Sequence, residues 1–457
     1  MNPRYYSSLI IIAMYTLLTY TSQQHVFFGD MVQFGSRHAH YFFENNFYSL
    51  WLPNSLDSGH PPFFGMYMAL CWKIFGKSLV VSHWSMFPFL VLIAIALPRL
   101  ISNFISSANI IFICLLFFFE PTLFSQSSLT SPDIILVAFF LWALVLYKEE
   151  KYLWLSIMLV PMSFISLRGM MVLFSLFIAI LIHQKKINKK VILTFVPAVG
   201  ICFYWLFRHY QLFGWIGFHS DSPWASSFQT VGLKQISYNL FLMIWRWVDF
   251  GRIAFWCIAL IFAIVQIRKH DKLSEKQQFP IILLFTLGFV FTANTIFADG
   301  LIGHRYYMPI YIIGLIITLQ LIEKYSKKRR TGIQVVIFIA FMIGAKYVYP
   351  SKIAMGWDAT PAHRPYYSLR ADAIQYLNEK NISLQDVGAG FPNIDSRETL
   401  ELNGDTSSFQ SYANKNIKYI LWSNIFNYPD ELQDSLATRK VLFEKEKNGV
   451  FMKVIQL

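Results

Sequence analysis

The sequence predicts an all-α polytopic membrane domain of about eleven transmembrane helices, followed by a small α/β domain. Two observations carry the first part. Of 457 residues, 55% are hydrophobic and 14% charged, against about 25% charged in an ordinary soluble domain. The basic residues behind a net charge of +13 are not spread over one soluble face; they sit in short runs between apolar stretches. A third observation carries the second part: after Pro350 charges of both signs become frequent and the apolar runs shrink to strand length.

The elements follow in order. An apolar stretch over 6–22 comes after Arg4. It lacks the small-x-small cleavage site of a secretion signal and reads as a retained anchor. With Arg4 in the cytoplasm, 23–77 becomes a long external loop before the chain returns over 78–97. Inside that loop "PPFFGMYMALCWKIFG" is apolar but marginal in length for a crossing. Counting it as a span would place "QKKINKK" and "KYSKKRR" outside, against the rule that basic loops stay in the cytoplasm. It therefore reads as an interfacial helix opening at Pro61 and Pro62, where a missing N–H is no loss. The remaining spans alternate. The chain exits over 110–124, returns over 134–147 to "KEEK", exits over 152–167 and returns over 170–182 to "QKKINKK". It then exits over 191–207 to a second long external loop, 208–249, and returns over 253–267 to "RKHDK". It exits over 279–297 to "ADGLIGHRYYMP", returns over 307–322 to "KYSKKRR" and leaves finally over 333–349.

This pattern divides the chain into a membrane domain, 1–349, and an extracytoplasmic α/β domain, 350–457. Ser368 is suited to cap a helix over "LRADAIQYLNEK", and "KYILWS", "KVLFEKE" and "GVFMKVIQ" have the apolar and aromatic weight of strands. A domain of roughly 100 residues can bury its own core.

Several function classes fall away. The basic runs are topological signals and do not form a nucleic-acid surface. The four cysteines lie in apolar surroundings without metal-like spacing and read as small core residues. An ion-coupled transporter needs ionisable groups near the bilayer midplane, and the spans carry almost none. Glu120, in "FFFEPTLF", is the exception, near the outer end of its span. The unusual polar residues gather in the external loops: Asp30, Arg37, His38, His40 and His60 in the first, Asp133 in the next, Arg168 later, then Asp299, His304 and Arg305. His38 and His40 are two apart and do not share a helix face, which argues against a metal site there.

Four stretches carry a resemblance: "GDMVQFGSRHAHYF", "GHPPFFGMYMALCWKIFG", "FSQSSLTSPDIILVAFF" and "GHRYYMPIY". In order, spacing and side of the membrane they resemble the GT-C superfamily of integral-membrane glycosyltransferases. The closest likeness is to the branch of the protein O-mannosyltransferases and the aminoarabinose transferase that modifies lipid A. Many members carry Asp-Glu at the first-loop site, whereas here Asp30 is followed by Met31. The resemblance implies transfer of a sugar from a polyprenyl-phosphate donor to an extracytoplasmic lipid, glycan or protein acceptor, with inversion, at the outer face of a bacterial cytoplasmic (inner) membrane. A flippase for a lipid-linked saccharide and a polysaccharide polymerase or ligase are the alternatives.

Such a transfer needs a base or polariser for the acceptor and cations for the departing phosphate. Asp30 is the best-placed base, with Asp133 as a second carboxylate that leaves retention open. Asp133 follows Pro132 at the start of a span, where a carboxylate also caps free N–H groups. Arg305 offers a fork of donors for a phosphate, with Arg168, Arg246 and Arg252 as substitutes. His60 either contacts phosphate or acceptor, or caps the Pro-Pro helix. His304 and Glu120 complete the substrate-binding candidates, and Trp215, Trp224 and Trp245 are candidates to stack on sugar rings. No cofactor is indicated by the sequence; a divalent cation is left open.

Overall fold

The computed structural model describes residues 3–105, 109–186, 188–217, 219–220, 225–300, 302–350 and 352–457. A helix stands over every stretch that the hydropathy pattern assigns to a span, beginning with Pro3–Ser22. Among the described residues, five helices are by themselves long and apolar enough to cross a bilayer: Leu79–Phe104, Leu167–Gln184, Lys189–Phe213, Glu275–Thr295 and His304–Tyr325. Two bent pairs raise that number to seven when each is taken as one span. Ile110–Phe118 meets Pro121–Ser127 at 71°, and Leu233–Val248 meets Ile253–Arg268 at 93°. The helices Pro132–Lys148, Tyr152–Phe164 and Arg330–Gly344 are shorter, at 17, 13 and 15 residues.

The helix Leu233–Val248 corrects the reading of 208–249 as a loop throughout. Ile236, Leu240, Met243, Ile244 and Trp247 recur at helical spacing within it. The sharp turn into the next helix depends on Gly251, which takes φ +82°; a Cβ there would lie 2.0 Å from the Ala340 carbonyl oxygen. One cysteine also departs from expectation: Cys71, Cys114 and Cys202 are buried, whereas Cys257 is exposed on Ile253–Arg268. Its neighbours Ile253, Leu260, Ile261 and Ile264 are exposed too, as expected of a lipid-facing side.

Two helices are buried almost all round, Pro132–Lys148 and Met308–Tyr325. They form the centre of the bundle. At the end where they finish, Gln320 donates to the carbonyls of Phe104 (3.1 Å) and Lys276 (2.9 Å), and Arg99 pairs with Glu149 at 2.8 Å. The basic loops gather there. At the opposite end the first loop folds back on the bundle as a π-helical turn, Val32–Arg37, that runs into the helix His38–Glu44. Both pack on Phe63–Phe75, the helix that the Pro-Pro pair was expected to open.

The C-terminal segment forms a five-stranded sheet of β1 (Val387–Ala389), β2 (Gln410–Ser411), β3 (Tyr419–Trp422), β4 (Lys440–Lys447) and β5 (Val450–Gln456), in the order β2-β1-β3-β5-β4. β1 is parallel to β2 and β3; β5 is antiparallel to β3 and β4. The helix Pro365–Glu379 covers the sheet. It starts at Pro365 and not after Ser368, whose hydroxyl instead donates to the Pro365 carbonyl at 3.1 Å. A proline with fixed φ at the first helical position sets that start.

This layer is bonded to the membrane helices. Two short 3-10 turns, Trp357–Ala359 and Pro361–His363, lie against Pro121–Ser127. Ser125 Oγ and Gln126 Nε2 each donate to the Asp358 carbonyl at 2.8 Å, and Thr122 Oγ1 to that of Ala359 at 3.0 Å. Arg37 pairs with Asp395 at 2.6 Å, and the Phe27 amide donates to the Leu400 carbonyl at 3.0 Å.

Candidate active site

The two central helices begin side by side, and their first residues define the site. Asp133 lies in the first turn of Pro132–Lys148, but it is Ser131 that caps this helix, its hydroxyl accepting from the Asp133 amide at 3.2 Å. That leaves the Asp133 carboxylate for side chains, which differs from the capping role its position suggested. Arg168 donates to it at 3.0 Å, and Arg305 approaches its other oxygen at 3.4 Å.

Arg305, on the 3-10 turn that opens the last central helix, is the hub. Its guanidinium donates to Asp30 and, at 2.8 Å, to Asp358, as well as lying beside Asp133. Arg305 and Asp133 are 3% and 2% exposed, whereas the Asp30 side chain keeps 25% of its surface. Burial pushes the Asp358 carboxyl above the usual range; Asp30 and Asp133 push the same way, against the pull of Arg305. The Tyr306 ring lies 4.2 Å from the Arg168 guanidinium and 5.3 Å from that of Arg305, close enough for cation–π attraction to both.

His60 joins this group from the first loop. Gly59, before it, takes φ +74° and passes so close to Gly217 that a Cβ would lie 1.8 Å from the Gly217 carbonyl oxygen. His60 Nδ1 accepts from the Leu167 amide at 3.2 Å. Burial, then repulsion from Arg168, His38 and Arg305, pushes the imidazole down to about 3. The ring is therefore neutral at pH 7, and with Nδ1 accepting, the proton is on Nε2.

Two cavities meet here. One, of about 200 Å³, is lined by Asp30, His60, Arg168, Met171, Phe291 and Tyr306; its floor is apolar and belongs to membrane helices. The second, of about 460 Å³, lies under the C-terminal domain and takes in Asp30, Arg305, Tyr306, Trp357, Asp358 and Tyr412. Asp30, Gly300 and Tyr306 belong to both. Arg168 Nε is buried and has no hydrogen-bond partner among the described residues, and Arg168 lines the first cavity.

Five of the expected residues, Asp30, Asp133, Arg305, Arg168 and His60, thus come together. His304 and Glu120 do not. His304 Nε2 bonds Asp249 at 2.8 Å, and Asp249 also accepts from Tyr349. Glu120 caps Pro121–Ser127, accepting from the Leu123 amide at 2.8 Å, and pairs with the fully buried Arg252 at 2.6 Å. Of the substitute arginines, Arg252 is thereby engaged, and Arg246 lies 3.7 Å from Asp249. Trp215 bonds Asn54 at 3.3 Å and Trp245 bonds Tyr349 at 2.8 Å, neither lining the two cavities; Trp224 lies outside the described residues. His38 donates from Nε2 to the Leu56 carbonyl at 3.0 Å, whereas His40 faces Ser36 and Glu398. Among the described residues, no group of three or more His, Cys, Asp or Glu side chains is arranged to hold a metal ion. Asp30, Asp133 and Asp358 do converge, but on the Arg305 guanidinium, which fills the place a cation would need.

Asp358 is the functional-site residue that sequence reasoning missed. Its signal was available: it is the first carboxylate after the last apolar stretch, in "AMGWDATP". Tyr306 lay inside the quoted "GHRYYMPIY" without being singled out.

No family model matches this chain, and no curated protein matches its sequence. Among solved structures, the crystal structure of ArnT from Cupriavidus metallidurans bound to undecaprenyl phosphate superposes with a TM-score of 0.51, covering 98% of this chain and 97% of that one, at 11% identity. The chain thus shares the ArnT fold: a helical membrane domain with a small sheet domain at one end.

Proposed function

We propose that this protein transfers a sugar from a polyprenyl-phosphate-linked donor to an acceptor outside the cytoplasm. The observation that carries the reading is the meeting of the two cavities at Asp30 and Tyr306, one walled by membrane helices and the other by the C-terminal domain. A lipid-borne donor and a water-side acceptor need that arrangement. The fold supports the donor class, since ArnT is bound to undecaprenyl phosphate.

The residues divide the work. The donor phosphate lies against Arg168, whose Nε has no other partner among the described residues, and against the Nε2–H of neutral His60. Arg305 holds Asp30 in place from the other side. Asp30, the more exposed of the bonded carboxylates Asp30 and Asp133, accepts the acceptor hydroxyl proton as its oxygen attacks the anomeric carbon. The bond from that carbon to the phosphate oxygen breaks, and polyprenyl phosphate leaves with the electron pair. Asp133 is buried and bonded to Arg168 and Arg305, a poor position for a nucleophile, so the displacement is single and inverting. The setting is a bacterial inner membrane with the site on the periplasmic side, and the acceptor is a lipid, glycan or protein.

The test is release of free polyprenyl phosphate, followed by mass spectrometry in liposomes holding a panel of polyprenyl-phosphate sugars and extracytoplasmic acceptors. The parent releases it, and a folded Asp30→Asn loses about a hundredfold or more. Labelled lipid crossing the bilayer with its sugar–phosphate bond intact would establish a flippase instead.

A further inference from the structure

A third cavity, of about 660 Å³, lies on the other side of the 357–365 segment from the active site. Its walls have two characters. Phe119, Phe124 and Met342 make an apolar floor, and Lys346, Arg364 and Lys447 bring positive charge to the rim. Among the described residues, none of the three cations has a carboxylate within ion-pairing distance. The nearby Glu120 is committed to Arg252 and to its own helix cap. Elsewhere on the C-terminal domain four lysines are paired among the described residues, Lys352 with Asp434, Lys418 with Asp386, Lys445 with Asp372 and Lys453 with Glu444, whereas Lys380, Lys415 and Lys440 are not. What sets the rim apart is that its three cations gather round one apolar floor, and Arg364 is half-buried, its guanidinium donating to the Thr21 hydroxyl at 3.4 Å.

Place fixes what such a cavity meets. Lys346 follows the last apolar helix by two residues, and that helix exposes Val336, Ile339 and Ile343 along one side. This apolar strip leads up to Lys346 at helical spacing. Lys447 and Asn448 form the tip of the β4–β5 hairpin, and Gly449 beside them rests on Val348, where a Cβ would lie 3.3 Å from Val348 Cγ2. The cavity thus opens at the bilayer boundary, with its apolar floor toward the hydrocarbon and its cations at headgroup level.

We propose that this cavity binds an anionic phospholipid of the adjacent leaflet, its phosphate held by Lys346, Arg364 and Lys447 and part of one acyl chain lying on Phe119 and Phe124. Unpaired cations above apolar surface select a negatively charged amphiphile. The bound lipid braces the segment that carries Asp358, because Pro361, Ala362 and Pro365 form part of its wall.

The experiment uses the full chain in mild detergent, with native mass spectrometry reading retention of phosphatidylglycerol against phosphatidylcholine of the same chain length. The parent retains one phosphatidylglycerol in preference. Lys346→Gln with Lys447→Gln, both at exposed positions that leave the fold intact, weakens that retention by about twenty-five-fold, at about fivefold per charge. Equal retention of the two lipids, or unchanged retention by the double variant, overturns the proposal. Inorganic phosphate is the second probe: if millimolar phosphate stabilises the protein as much as phosphatidylglycerol does, the ligand is a soluble anion and not a lipid. None of these readouts depends on sugar transfer.

Discussion

Arg305→Met tests the hub directly. Arg305 is 3% exposed and bonded to Asp30 and, at 2.8 Å, to Asp358, with Asp133 at 3.4 Å. Methionine keeps much of the volume and removes the charge, leaving three carboxylates within a few ångströms of one another with Arg168 as the remaining cation bonded to any of them. Breaking a buried ion pair by removing one partner costs about 3–5 kcal/mol, a large share of the roughly 5–15 kcal/mol that holds a typical domain folded. Because the cost is stranded negative charge, protons relieve it. The deficit is largest near pH 8 and narrows toward pH 5, because the Asp358 carboxyl, pushed up by burial and freed of the opposing pull of Arg305, takes up a proton and the mutual repulsion fades. The assay is thermal unfolding of detergent-purified parent and variant at pH 5, 6.5 and 8. Arg305→Lys restores one charge without the planar fork, so it recovers part of the stability and little of the transfer. A gap that stays constant across this pH range, or no gap at all, would refute the idea that the carboxylates share this cation.

Arg168→Gln removes the guanidinium from the membrane-side cavity and is expected to raise the donor KM by about tenfold to a hundredfold; titrating the donor in the release assay checks this, and an unchanged KM would move the phosphate elsewhere. Glu120→Gln strands the buried Arg252 and should cost about 3–5 kcal/mol in unfolding free energy while transfer per folded molecule is kept, since Glu120 lines neither cavity of the site. Burial keeps His38, His60 and His363 neutral, with pKa pushed down to about 4, 3 and 4. Their folded values lie below the ordinary 6.5, so this stability is complete above that pH and is lost as pH falls toward 4. At pH 5 the loss is about 2 kcal/mol for each. Unfolding midpoints from pH 7.5 to 5 measure it, and His38→Gln, which keeps a donor for the Leu56 carbonyl, should flatten the slope.

Hydropathy and the basic runs located a helix at every expected span, because membrane crossing imposes length and apolar content on local sequence. Leu233–Val248 escaped because Lys234, Arg246 and an amphipathic pattern look like a loop when only unbroken apolar runs are sought. Asp30, Asp133 and Arg305 were legible as charges that a greasy chain keeps at its boundary. Their mutual bonds were not, since these residues lie about a hundred or more positions apart and only packing brings them together. Glu120 and His304 looked equally exceptional in sequence. Each proves to be spoken for by a buried partner, Arg252 or Asp249, that no local pattern connects to it. The three-residue β1 and two-residue β2 are too short for any periodicity to reveal.

The change of composition at Pro350 suggested a boundary there, yet Asp358 lies beyond it and completes the hub. Asp358→Asn separates the two meanings of that fact. Burial and the neighbouring carboxylates push the Asp358 carboxyl up, so its charge costs stability once the pH exceeds its folded pKa, and a neutral amide of the same shape removes that cost. The variant should therefore unfold no earlier than the parent at pH 8. Arg305, released from Asp358, turns to Asp30 and Asp133 and binds the Asp30 carboxylate more firmly, which weakens its grip on the acceptor proton. Turnover should fall by about tenfold. If Asp358→Asn is destabilised by several kcal/mol and turns over normally once corrected for folded protein, the residue is only a strut between layers. If it folds well and slows, the C-terminal segment is part of the catalytic machinery, and a chain ending at Tyr349 loses at least that tenfold however well its helices assemble.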